Sequence, residues 1–421
     1  MRTYIHGFSR IVGSSLFIII ISSGIASCAA KGVVVDDAGS TPEAVVAIVN
    51  ANNRLAFELY AKFNEKSKAD NIFFSPYSIS VALAMTYEGA RGQTADEIRS
   101  VLHISEDPIL RKPNFAKIIN DINRKDAKYK LSTANALWLQ NDYKLLPDYT
   151  TTVEKYYGGR VTNLDFIGQS EKSRKTINTW VEDQTNKKIK DLIPPGVLNA
   201  LTRLVLTNAI YFKGNWMKKF DKKNTMEEDF RTGPGQNAKA KMMRLTGEAA
   251  KFNYGESDEL QILEMVYEGE DLSMVILLPK GDKLDEIEKS ITLDRLAEWK
   301  DLLGERRVDV FVPKFKFETN YFMVDALTEM GMPSAFKSGV ADFSGIDGSK
   351  SLVIQNVIHK AYIDVNEEGT EAAAATAIVF GTTSVPPPTP VFRADHPFIF
   401  MIQQKNTGNI LFMGRVSDPS K

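Results

Sequence analysis

Residues 367–390 constrain this chain more than any other stretch, because their first half suits a strand buried within a sheet and their second half cannot continue one. The run reads Glu-Glu-Gly-Thr-Glu-Ala-Ala-Ala-Ala-Thr-Ala-Ile-Val-Phe-Gly-Thr-Thr-Ser-Val-Pro-Pro-Pro-Thr-Pro. At a period of two, one face carries Thr370, Ala372, Ala374, Thr376, Ile378 and Phe380, and the other carries Glu371, Ala373, Ala375 and Ala377. The first face is small and neutral, so it could slide beneath a helical layer into an existing sheet without burying a charge. Pro386, Pro387, Pro388 and Pro390 then forbid a central strand. Alanine also favours helix, and an alanine-rich helix capped by Thr370 fits the same residues. The two conformations can belong to different states.

A sheet able to receive such a strand needs a large core, and 421 residues, 43% hydrophobic and 25% charged, allow one. No long low-complexity linker interrupts the chain before residue 366 and no repeat appears at solenoid spacing, so a single large domain is expected. Its first third reads as helical. Ser75 offers an N-cap hydroxyl before Pro76, Gly89 offers the stop, and Thr94-Ala95-Asp96-Glu97 predicts a capping box ahead of Ile98, Val101 and Leu102. Strands follow at 204–212 and 272–278, the second a continuous apolar run suited to burial on both faces. Val308, Val310 and Val312 place their apolar side chains on even positions and Phe315 and Phe317 on odd ones, which predicts a bulge at Pro313. Residues 398–403 and 409–416 read as a closing hairpin. Helices first and strands late predict the α+β class rather than alternating βαβ units.

The N-terminus carries Arg2 and Arg10 and then an uncharged stretch over 11–30, the layout of an export signal. Its solidly apolar centre is too short to span a bilayer comfortably. Ile25-Ala26-Ser27-Cys28 resembles the bacterial lipobox, in which the thiol takes a diacylglycerol before cleavage. Cys28 is the only cysteine. The expected organisation is a signal over 1–27, a tether over 28–43 and the fold over 44–421, with the mature chain exported and lipid-anchored to a bacterial envelope. Lys and Arg total 52 against 53 Asp and Glu, so no net field draws the chain to nucleic acid.

Motifs for catalysis are missing. Of four histidines, His6 leaves with the signal, and His103, His359 and His396 have no zinc-ligand spacing. There is no G-x-S-x-G elbow, no Walker loop and no thiol nucleophile in the mature chain, so neither an enzyme nor a metal or other cofactor is expected. The run over 342–348 is faintly like a calcium loop but lacks the closing Glu, and reads as a turn. Arg111, Lys112, Arg124, Lys125, Lys128 and Lys130 fit a polyanion patch or, more simply, a solvated helix face.

The chain resembles the serpin family over nearly all of residues 44–421. The resemblance is carried by Asn71-Ile72-Phe73-Phe74-Ser75-Pro76-Tyr77-Ser78-Ile79, Thr207-Asn208-Ala209-Ile210-Tyr211-Phe212-Lys213-Gly214-Asn215-Trp216, Val312-Pro313-Lys314-Phe315, Ala341-Asp342-Phe343-Ser344-Gly345, the stretch 367–376, Ala394-Asp395-His396-Pro397-Phe398 and Phe412-Met413-Gly414-Arg415. It implies three sheets, eight or nine helices and an exposed reactive-centre loop over about 369–392. It further implies a monomeric suicide inhibitor of serine proteases, whose cleaved loop inserts as a new strand of the main sheet.

Site residues follow from the same resemblance. The hinge would be Glu367, Gly369, Thr370, Glu371, Ala372, Ala373, Ala374, Ala375 and Thr376, with Thr370 turning inward only when the loop inserts. Ser75, Ser78, Asn208 and His359 match the shutter, a polar cluster beneath the sheet; taken alone, His359 would read as a satisfied core histidine. Trp216 and Lys314 match the breach, where the loop first enters, with Lys314 pairing to Glu367. Asn178 and Thr207 are packing and hydrogen-bond positions. Counting from Gly369 puts the cleaved bond at Thr383-Ser384, while counting back from His396-Pro397 shifts it slightly, so Thr382 and Val385 are neighbouring candidates. A small uncharged residue there suits elastase-like or subtilisin-like proteases, and Arg393 lies too far along to serve trypsin-like ones. The competing reading is a serpin-shaped binding or structural protein, against which stands the uncharged, proline-free composition of the alanine run.

Overall fold

Local sequence starts the helical layer. In a computed structural model that describes Met1 and residues 34–67, 70–370 and 389–421, helix α1 spans Pro42–Lys66 and helix α2 spans Pro76–Gly89. Ser75 caps α2 as expected, accepting from the Ser78 amide, and a fixed proline φ at the first position costs no hydrogen bond. Almost every side chain of α2 is buried, so it runs through the interior rather than along the surface.

The capping box at Thr94 does not form. Its helix, Gly92–Leu102, starts three residues earlier, at an N-cap, Arg91, without a side-chain bond. Thr94 instead accepts from the amide of Asp342, and Glu97 accepts from the amide and hydroxyl of Ser334. Long-range partners took both groups that the local motif needed.

Residues 35–41, within the stretch read as a tether, are bonded to the fold. Val35 exchanges hydrogen bonds with the Asn120 side chain, the Asp36 amide donates to the Lys155 carbonyl, and the Thr41 amide donates to Asn114. Cys28 and residues 2–27 of the expected signal lie outside the described residues. Ten α-helical segments occur among the described residues, more than the eight or nine expected, and short pieces account for the excess. One is the single turn Ser344–Asp347, in the stretch read as a plain turn, where Asp342 accepts from Ser344 and pairs with Lys350.

Three sheets hold the described strands. The main sheet contains β1 (Tyr129–Gln140), β2 (Arg160–Leu164), β3 (Leu204–Asn215), β4 (Phe315–Phe322), β5 (Ile354–Asn366) and β6 (Gly369–Thr370), in the order β4-β5-β6-β3-β1-β2. A seven-stranded antiparallel sheet includes Leu272–Pro279 and the expected closing hairpin of Phe398–Gln404 with Ile410–Val416. The third sheet has four strands, among them Asp309–Pro313 and Val391–Arg393. Asp309–Pro313 and β4 therefore lie in different sheets, and the parity change at Pro313 marks a corner between sheets, not a bulge in one strand. Each side of the corner buries its apolar face against a different layer.

Helix α2 packs across β1 and β3 on the inner face of the main sheet. There β3 and β5 run parallel and pair from Leu204–Ile354 up to Tyr211–Tyr362. Above that level they diverge, and β6 fills the fork, pairing antiparallel with both: Thr370 with Val365 and Gly214, Gly369 with Asn366 and Asn215. Gly369 has φ 152°, and a Cβ there would lie 2.1 Å from the Gly214 carbonyl oxygen, so only glycine lets the chain turn into the fork.

Candidate functional site: the hinge and the sheet beneath it

The chain reverses direction at Glu367 and Glu368, both nearly fully buried. The Glu368 amide donates to the Asn366 side chain, an Asx turn that ends β5. Backbone amides of the segment after β3 catch the turn: that of Trp216 donates to the Glu368 carbonyl at 2.8 Å and that of Phe220 to the Glu367 carbonyl at 2.9 Å. Glu367 pairs with Lys314 at 2.8 Å and accepts from the Thr225 hydroxyl at 2.9 Å. Burial alone would raise its pKa, but the bonds from Lys314, its own backbone and Thr225 outweigh that and hold it below the usual carboxylate value. Glu368 reaches Lys222 through one oxygen at 3.3 Å, and its other oxygen is buried without a partner among the described residues.

Aromatic packing holds the strand that follows. Trp216 donates from its indole to the Asn366 carbonyl at 3.0 Å and stacks on Tyr267, with centroids 4.5 Å apart. Phe212 meets Tyr267 edge-on at 5.1 Å. The Tyr267 hydroxyl is 2.9 Å from the Thr370 hydroxyl, and both residues are buried. Burial pushes the Tyr267 phenol far above its ordinary pKa, so this is a bond between neutral groups. Thr370 thus already faces inward in the intact chain, whereas the sequence suggested that it would do so only on insertion. Two ladder partners and a buried acceptor are sufficient to seat it.

Lower in the sheet, Ser75, Ser78, Asn208 and His359 come together, and Asn135 joins them. Asn135, Asn208 and His359 are direct neighbours across β1, β3 and β5. The Ser75 amide donates to His359 Nε2 at 3.1 Å, which places the ring proton on Nδ1, where it is donated to Asn208 Oδ1. Asn208 Nδ2 donates to the Ser78 carbonyl at 2.8 Å and to the Asn135 side chain, while the Ser78 hydroxyl donates to Asn135 at 3.1 Å. The Ser75 hydroxyl donates to the Leu411 carbonyl at 2.6 Å, tying the cluster to the closing hairpin. Burial pushes the His359 pKa down to about 3, so the ring is neutral. Beside the backbone ladder, the side-chain bond of this cluster that crosses from β5 to β3 is the one from His359 to Asn208.

Sequence reasoning missed Asn135, Tyr267, Thr225 and Lys222. Only Asn135 carried a signal, as a lone amide between alanines ahead of an apolar run. Thr207 accepts from the Trp138 indole at 2.7 Å and Asn178 bridges the backbone of Ile193, in keeping with structural duties. Of the basic run, Arg111 is buried in a bidentate pair with Glu88 and is not part of a surface patch. Glu371 to Thr376 and the candidate bond residues Thr382, Thr383, Ser384 and Val385 lie outside the described residues. The chain rejoins the fold through Val391–Arg393, where Arg393 pairs with Glu228 at 2.6 Å and covers the Phe311 ring.

The arrangement is mechanical. Gly369 and Thr370 sit in the mouth of a fork, two charged pairs and one aromatic stack clamp the turn before them, and a neutral polar cluster closes the two long strands below.

The model of the family described as "Serpin (serine protease inhibitor)" matches residues 50–419. An uncharacterized serpin-like protein of Methanosarcina mazei is 43% identical over 380 residues, covering 88% of this chain and 87% of that protein. The leukocyte elastase inhibitor of Homo sapiens is 41% identical over 379 residues, covering 88% and 99%. Among solved structures, uncleaved ovalbumin superposes with a TM-score of 0.81 at 32% identity, covering 89% of this chain and 100% of that one.

Proposed function

The chain belongs to the serpin family, and from that membership we propose that it traps serine proteases as a suicide substrate. The observation that carries the proposal is the seat of Gly369 and Thr370 between β3 and β5, above strands that still pair with each other. A protease serine attacks the loop carbonyl at Thr383 and expels the amine of Ser384, leaving an ester. The released hinge then has a template on both sides. Continuing the register of Thr370 opposite Gly214 and Val365 places Thr376 between Asn208 and His359. The inserting threonine can thereby replace the side-chain bond between Asn208 and His359, one of those that join the two strands. From Thr370 to Thr383 the new strand is on the order of 45 Å long at about 3.4 Å per residue, enough to carry the tethered protease past the sheet before water cleaves the ester.

The bond at Thr383-Ser384, with Thr382 and Val385 as neighbours, suits elastase-like or subtilisin-like proteases, and the similarity to a leukocyte elastase inhibitor supports the former. We place the mature protein at a bacterial envelope, exported as a monomer and anchored through lipid on Cys28. Incubation with pancreatic elastase and with subtilisin, followed by a denaturing gel, tests the mechanism. A covalent band of the summed mass is expected. Cleavage without that band would leave a substrate, and with it a binding or structural role for the fold.

A further inference from the structure

At its lower end the main sheet carries an apolar rim that neither the hinge nor the polar cluster uses. β3 begins at Leu204, opposite Ile354 and Leu139, and the residues just before it form a tight turn. The Leu201 amide donates to Asn199 Oδ1 at 2.8 Å, the Asn199 amide to the Thr202 hydroxyl at 3.1 Å, and the Thr202 amide to the Asn199 carbonyl at 3.0 Å. The Arg203 guanidinium donates to the carbonyls of Ala200 and Thr202. Leu198 plants the turn in the buried cluster beneath the helix Phe166–Gln184. On this base Leu201 is 76% exposed.

Gln140 ties a second apolar side chain to the same rim. Its amide donates to the Arg203 carbonyl at 2.9 Å, and its side-chain oxygen accepts from the amides of Phe166 and Ile167. Ile167 is 50% exposed. A lone exposed leucine needs no explanation, but two apolar side chains fixed at the end of the sheet stand where an inserted strand would leave it.

Thr370 is paired with Gly214, and the same antiparallel register puts Phe380 beside Leu204. Three residues then remain to Thr383, about 10 Å of extended chain, so the ester would stop close to the turn that carries Leu201. The ester lies inside the protease's own cleft, so the protease surface nearest the rim is the edge of that cleft, and such sites are largely apolar. Gln355, on β5, bonds the backbone of Leu201, Arg203 and Leu204, and the entering strand would part those bonds. The other bonds of the turn lie on the β3 side of its path and hold the rim in shape.

Resting on the trapping mechanism above, we propose that this rim is the seat of the captured protease, with Leu201 and Ile167 packed against the apolar edge of its active-site cleft. The contact forms only after the strand has run its full length, so it governs how long the protease is held and not how fast it is caught.

The covalent complex with pancreatic elastase, purified and then diluted, tests the seat through the rate at which active elastase returns. Leu201→Asp is expected to release it about tenfold faster than the unaltered protein. Its association rate constant and melting temperature should not change, because Leu201 is exposed in the intact chain and lies at the opposite end of β3 from the hinge. Leu201→Met should hold elastase as the unaltered protein does, and Ile167→Asp should act in the same direction as Leu201→Asp. Equal release from Leu201→Asp and the unaltered protein overturns the proposal. Absence of any covalent complex with the unaltered protein overturns the trapping mechanism itself, and the seat with it.

Discussion

Tyr267 and Thr370 share a hydroxyl-to-hydroxyl hydrogen bond of 2.9 Å, buried between two sheets, before any bond of the reactive loop is cut. Tyr267→Phe should therefore lower stability by about 1 kcal/mol and leave the Thr370 hydroxyl without its partner. Adding Thr370→Val should recover most of that loss. A double-mutant cycle of urea midpoints measures the coupling; additive effects would mean that the bond contributes nothing.

Thr370→Arg places a guanidinium where the intact protein already has a buried hydroxyl. It should lower the melting temperature of the uncleaved chain as well as hinder insertion. Each 1.4 kcal/mol added to the insertion barrier slows that step about tenfold, so deacylation should overtake it. The readout is the number of inhibitor molecules consumed per elastase, which should rise well above one.

His359 gives the protein a calculable acid response. Its pKa is pushed down from 6.5 to about 3, so between those values the unfolded chain takes up a proton that the native ring refuses. The unfolded state binds more protons there, and native stability falls as pH drops from 6.5 toward 3, by at most about 1.4 kcal/mol per pH unit from this group. Urea unfolding between pH 7.5 and pH 5, above most carboxylate titration, should show the slope in the unaltered protein and a flatter one in His359→Gln (pH limits about one unit either side of the ordinary histidine range).

Mass spectrometry of the C-terminal peptide released by elastase should give a fragment beginning at Ser384, or one residue to either side. A main cut after Arg393 is expected not to occur, because that side chain is held by Glu228 and by the face of Phe311.

Labelled fatty acid should enter the chain when it is expressed through a bacterial lipoprotein pathway and should be lost in Cys28→Ala. Equal labelling of the two forms would remove the anchor.

What could be read in advance differs by the range of the interaction. The cap at Ser75, the run over 272–278 and the closing hairpin are specified by neighbours in sequence, and they appear where their residues predict them. The capping box at Thr94 failed because Asp342 and Ser334, remote in sequence, bond the same groups. The polar cluster was legible only through resemblance, since nothing local distinguishes Asn208 from any other amide in a strand. Tyr267 could not be found at all: its role arises from stacking on Trp216 and meeting Thr370, contacts that only the assembled sheets create.

The fork between β3 and β5 makes strand addition a process with a threshold. Their mutual pairing stops at Tyr211–Tyr362, while the described residues of β6 reach the level of Gly214 and Val365. In that register Glu371 would meet Lys213 and Asp364, and Ala372 would meet Phe212 and Ile363, positions at which the two long strands are not paired with each other. Entry of those two residues parts no rung. From Ala373 onward every step must part an existing ladder rung, beginning with Tyr211–Tyr362, so a zip drawn along this register meets its first resistance at one fixed tooth.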